Sequence, residues 1–143
     1  MDSEKVIGVL LTSSPAAAAT IKRFLHDHSM RPEDIDVFFT GDLGMVGSEL
    51  LCELLLTDGI DIRDRHMDGG VMIYDIEEQD VHAGGSGCGC SASVLACELI
   101  PSLECGIWKN VLFVATGALL SPTTVQQGEV IPSVAHAVLL CAE

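Results

Sequence analysis

NVLFVAT, the seven residues Asn110–Thr116, is apolar through its centre and reads as a strand buried on both faces. Such strands occur where helices cover a parallel sheet on both sides. Upstream of it, Ser91–Gly106 has the pattern of a helix, with Pro101 inside it. That proline lacks a backbone donor and crowds the carbonyl four residues earlier, so a kink or a helix end is expected there. Ala83–Cys90 (AGGSGCGC) is a glycine-dense loop. Ile60–Val71 is irregular and polar, with a small strand expected at Val71–Tyr74. Met45–Thr57 is a leucine-rich helix stopped by Asp58-Gly59. Ile35–Thr40 (IDVFFT) is a compact β run, ended by Gly41-Asp42-Leu43-Gly44. Before that lies a helix from Pro15 to about His28, with Ala17, Ile21, Phe24 and Leu25 on one face. Thr12-Ser13-Ser14-Pro15 reads as its cap and first-turn proline, and Lys5–Leu11 (KVIGVLL) as a first strand. Downstream, Gly117–Pro132 is a long loop and Ser133–Cys141 a final strand. The order is β-α-β-α-(β)-α-β-loop-β. This is an α/β pattern, and its last two strands, with no helix between them, should pair antiparallel.

The 143 residues suffice for one domain with a real core. Hydrophobic residues make up 48% and charged ones 20%, a globular rather than a disordered composition. Aromatics are only 4%, so Leu, Val, Ile and Ala must fill the core. The net charge of −14, from 21 acidic and 7 basic residues, argues against nucleic acid and against charge-driven binding to anionic lipid. The start MDSEKVIGVLL puts acidic residues where the basic region of a secretory leader would stand, so none is expected. The six cysteines are accordingly expected to be reduced. No apolar run reaches the roughly 18–20 residues of a membrane span.

Ala83–Cys90 is the most unusual local feature. Its glycines allow close backbone approach, and it leads into a helix start whose free N–H groups favour a carboxylate or phosphate. An anion pocket and tight helix–strand packing are both compatible with it. It lacks the Gly-Lys-Ser/Thr of a phosphate-binding loop. Cys88 and Cys90, with His82 upstream, have no second close pair to complete a structural zinc site. Cys88 at a helix start could be an activated thiol, but the sequence places no base beside it. Asp42 follows one strand, and Thr116 and Gly117 follow another, at the edge where open α/β sheets build their sites. His136, alone in the last strand, reads as a packed residue. Asp61, Asp64 and Asp68 read as a solvated loop without the spacing of a calcium hand.

TGDLG (Thr40–Gly44), AGGSGCGCSA (Ala83–Ala92) and LFVATGALLSPTTVQQGEVIPSVAHA (Leu112–Ala137) together resemble the C-terminal half of the stage V sporulation protein AD family. The resemblance runs from about Ser14 to Leu140. That family is similar to thiolases and β-ketoacyl synthases, whose fold pairs two β-α-β-α-β-α-β-β halves. The resemblance implies that residues 1–143 form one thiolase-like half, without the N-terminal half. It implies a mixed five-stranded sheet, packed with helices, with the last strand antiparallel. In the enzymes the N-terminal half carries the nucleophilic cysteine, and the C-terminal half supplies a His after one strand. Here Gly41-Asp42 follows VFFT, and the glycine loop offers Ser86, Cys88 and Cys90. The expectation is therefore no enzyme and no cofactor.

What the resemblance implies instead is binding of dipicolinic acid or its calcium complex, and its uptake into the developing spore. The expected ligand-binding residues are Asp42, Ser86, Gly87, Cys88, Thr116 and Gly117. Expected partners are membrane-embedded proteins of the same sporulation operon, with the chain peripheral on the cytoplasmic side of the forespore inner membrane. A lone half should pair as a homodimer or with a separate N-terminal half. An acyltransferase using Cys88 or Cys90, and a vestigial truncated half, are the alternatives.

Overall fold

The computed structural model describes residues 3–84, 88–116, 123, 126, 127 and 133–142. The expected strand NVLFVAT is β3 (Asn110–Ala115), and it lies inside the sheet. Its neighbours are β1 (Val37–Thr40), parallel, and β4 (His136–Cys141), antiparallel as expected. β2 (His66–Asp68) pairs parallel with the other side of β1, so the order is β2-β1-β3-β4.

Alternation along the central strands divides the core between the two faces of the sheet. Phe38, Leu112 and Val114 pack with Ala17, Ala18, Ile21 and Leu25 of α1 (Ser3–Asp27) and Leu51 and Leu55 of α2 (Gly44–Leu56). Val37, Phe39 and Val111 turn the other way, toward Val94, Leu99 and Leu103. Those last three belong to a helical run of three pieces: α4 (Cys88–Val94), a π-helical segment (Leu95–Leu99) and α5 (Ile100–Glu104). The result is a sheet between two helical layers, with Phe38 and Phe39 fully buried on opposite sides. Outside the sheet, Asp36 takes the Lys109 and Asn110 N–H groups at 2.7 and 2.9 Å, tying the start of β3 to that of β1.

The helical run continues across Pro101 rather than ending there. A regular helix would need the missing Pro101 N–H to meet the Cys97 carbonyl, which the proline ring also crowds. The wider π turn just before it, with Ile100 N–H donating to Leu95 O, relieves that crowding. The regular ladder resumes with Cys105 N–H on Pro101 O at 2.9 Å. Asp58-Gly59 stops α2 as read, with Gly59 at φ +77°, a conformation that costs a residue with a side chain.

Three expectations are corrected. Lys5–Leu11 is helical, part of α1, and Pro15 lies inside that helix rather than at its first turn. A short apolar run is compatible with either structure. β1 is bonded directly to both β2 and β3, which leaves no position between them for a further strand. Ser14 is accordingly no cap: it is fully buried and donates to Gly47 O of α2 at 2.9 Å. The small strand is His66–Asp68, not Val71–Tyr74; Val71 and Met72 fall in a single helical turn, α3 (Gly69–Met72), capped by Asp68. The sheet among the described residues therefore has four strands, not five. The loop expected at Gly117–Pro132 lies almost entirely outside the described residues.

Candidate functional site at the sheet edge

The parallel strands β1, β2 and β3 all end on one side of the sheet, at Thr40, Asp68 and Ala115. The segments leaving them meet there. Asp42, in the turn between β1 and α2, donates its N–H to Thr116 Oγ1 at 3.0 Å, so two of the expected ligand residues are brought together. Both are half-buried. The N-terminal turn of α4 closes on the same point. Cys90 is buried and donates its thiol to Gly41 O at 2.8 Å. A Cβ placed on Gly41 would lie 2.8 Å from Ser91 Oγ and 3.4 Å from Thr116 Oγ1. The Ser91 and Thr116 hydroxyls thus converge over the Gly41-Asp42 backbone, and only a glycine leaves them room.

Cys88 opens α4, as expected. Ser86, Gly87 and Gly117 lie outside the described residues. His136 begins the edge strand β4 and is exposed. Asp61 and Asp64 are exposed as read; Asp61 pairs with Arg63, whose hydrogen bonds hold its carboxyl down at about 2. Among the described residues no three His, Cys, Asp or Glu side chains gather to hold a metal.

Asp68 overturns the solvated-loop reading. It is 4% exposed, and its carboxylate is the most connected group at the edge. Oδ2 accepts from the Thr40 hydroxyl at 2.6 Å and from Leu43 N–H at 2.8 Å. Oδ1 accepts from Gly44 N–H at 2.9 Å and Val71 N–H at 3.3 Å. Burial pushes this carboxyl up, while the four donors oppose that rise. Three of its four partners are backbone N–H groups, which can only donate, and with the Thr40 hydroxyl donating as well the set suits the ionised form. The start of α2 supplies free N–H groups and a positive dipole end, which favour that charge. With its proton given to Asp68, the Thr40 oxygen accepts from His66 Nε2 at 2.9 Å, which places the imidazole proton on Nε2.

The sequence reading gave Thr40 and His66 no role in the site and placed Asp68 in a solvated loop. The one available signal was Asp68 three residues before Val71, ahead of Gly69-Gly70, which is N-cap spacing.

His66 carries a pH consequence. Burial lowers its pKa from 6.5 to about 4. The folded chain therefore resists a proton that the unfolded chain accepts, and this contribution to stability is complete above pH 6.5. It is lost as the pH falls toward 4, by about 1–3 kcal/mol. Urea unfolding between pH 7 and 4 should show this loss, and His66→Gln should flatten that part of the profile.

No helix among the described residues is long and apolar enough to cross a membrane. The sequence pattern of stage V sporulation protein AD matches residues 5–141. Stage V sporulation protein AD of Bacillus subtilis (strain 168) is 46% identical over 126 residues, which cover 88% of this chain. The chain spans 37% of the length of that relative. A match over nearly every residue, including the β1–α2 turn, the start of α4 and β3, shows that the chain belongs to the stage V sporulation protein AD family.

Proposed function

We propose that this sporulation protein binds dipicolinic acid or its calcium complex without chemically changing it, and serves its uptake into the developing spore. The observation that carries this reading is the convergence of Thr116, Ser91 and the Gly41-Asp42 backbone at one sheet edge, beside the start of α4. Hydroxyls and helix-start N–H groups suit one carboxylate of a small aromatic diacid. The family resemblance supplies the ligand. A net charge of −14 repels a free dianion, and calcium bound to the ligand offsets that repulsion.

The acyltransferase alternative is disfavoured at Cys90, because its thiol is buried and already donates to a carbonyl. Membrane-embedded proteins of the same operon are the proposed partners, at the cytoplasmic side of the forespore inner membrane. A second copy or a separate N-terminal half is proposed to complete the paired fold.

Titration calorimetry with dipicolinate, with and without calcium, tests the binding claim. Saturable heat is expected, and Thr116→Val should weaken the affinity by about tenfold, the loss expected for one hydrogen bond in a polar site. A flat trace under both conditions would remove the claim.

A further inference from the structure

We propose that Asp68 is the positioning residue of this edge site: its carboxylate holds the Gly41–Gly44 turn in the one shape that presents the Asp42 N–H to Thr116. The inference rests on the binding reading above and extends it to a residue that touches no ligand.

The geometry is specific. The turn runs from the end of β1 to the start of α2, and Asp68 grips both of its ends: Thr40 through the hydroxyl, and Leu43 and Gly44 through their N–H groups. Between these anchors stand Gly41 and Asp42, whose N–H groups go to β3 and its continuation, at Val114 O (3.2 Å) and Thr116 Oγ1 (3.0 Å). The Asp42–Thr116 contact therefore depends on where the carboxylate sets the far end of the turn. Asp68 also answers a question about charge. An anionic ligand could otherwise seek the N–H groups opening α2, but Leu43 and Gly44 already serve this internal carboxylate. A ligand carboxylate is left with the Thr116–Ser91 side of the edge, next to α4.

An asparagine cannot replace this group. Its amide oxygen can accept two of the four donors, and its NH2 would face the other two. Asp68→Asn should keep the side-chain shape, release one side of the turn and weaken dipicolinate binding by about tenfold or more. Leu55→Ala, a core change on α2 outside the site, serves as the control of comparable instability. It should bind as the native chain does at a temperature where both are folded. Native-like affinity in Asp68→Asn, or an equal loss in Leu55→Ala, would overturn the proposal.

Amide hydrogen exchange separates this from the binding reading. In Asp68→Asn the Asp42 amide should exchange about tenfold faster than in the native chain, with the β3 amides unchanged. Should the native chain bind no dipicolinate, the binding reading fails by itself and the exchange of Asp42 still decides the positioning role. If Asp68→Asn does not fold, Thr40→Val, which removes one donor to the same carboxylate, carries both measurements, with smaller changes in the same direction expected. An unchanged Asp42 amide would sink the proposal.

Discussion

Phe39→Ala should unfold at a much lower urea concentration than the native chain, with a loss of about 3–5 kcal/mol. Phe39 is fully buried on β1, one of the two inner strands, and its ring stacks on Phe113 of β3 with centroids 5.4 Å apart. Truncation removes the apolar contact and opens a cavity beneath the α4 layer, between Val111, Val94 and Leu99. The backbone cannot close that space, because β1 is pinned in register by β2 and β3. Domains of this size have a total stability of about 5–15 kcal/mol, so the variant should sit close to its unfolding limit at room temperature. A midpoint shift equivalent to less than about 1 kcal/mol would mean that Phe39 does not occupy a packed core.

Gly69→Ala should be nearly as damaging for an opposite reason. A Cβ there would stand 2.6 Å from Gly41 O and 3.0 Å from Phe39 Cζ. Neither neighbour can yield easily. Gly41 is bonded through its N–H to Val114 O, and its carbonyl receives the Cys90 thiol. One methyl group therefore has to displace backbone at the centre of the candidate site, at a cost of about 3 kcal/mol or more. Thermal unfolding reads the loss, and dipicolinate calorimetry should show the binding reduced with it. Gly89→Ala, in α4, is the matched control. Among the described residues nothing lies within 4 Å of its Cβ position, so the gain in helix propensity should raise stability by about 0.5–1 kcal/mol. Equal effects at the two glycines would contradict the packing of α3 against the β1–α2 turn.

The elements whose sequence carried one dominant signal were legible. NVLFVAT, read as a doubly covered strand, is one, and the leucine-rich helix ended where Asp58-Gly59 said it would. The antiparallel partnership of β3 and β4 is as expected, although Thr123 and Gln126, which lie between them in the sequence, are helical. KVIGVLL misled because its apolar side chains suit a strand or a helix equally, and the choice lies in what the rest of the sheet leaves free. At the candidate site, the meeting of Asp42 and Thr116 at the sheet edge agrees with the general rule that singled them out. Asp68 was missed because an aspartate in a polar stretch is usually solvated. Its burial depends on Thr40, Leu43 and Gly44, which lie 28, 25 and 24 residues away in sequence.

The placement of β3 beside β1 also sets an order of events at the ribosome. Asp36 at the head of β1 is tied to Asn110, 74 residues later in the chain. At about 5–20 residues per second, synthesis leaves the nascent Phe38-Phe39 segment without its neighbouring strand for several seconds. Until then β1 is paired along one edge, by β2, and Phe39 lacks the Phe113 ring that stacks on it, which makes the segment a natural ligand for a chaperone.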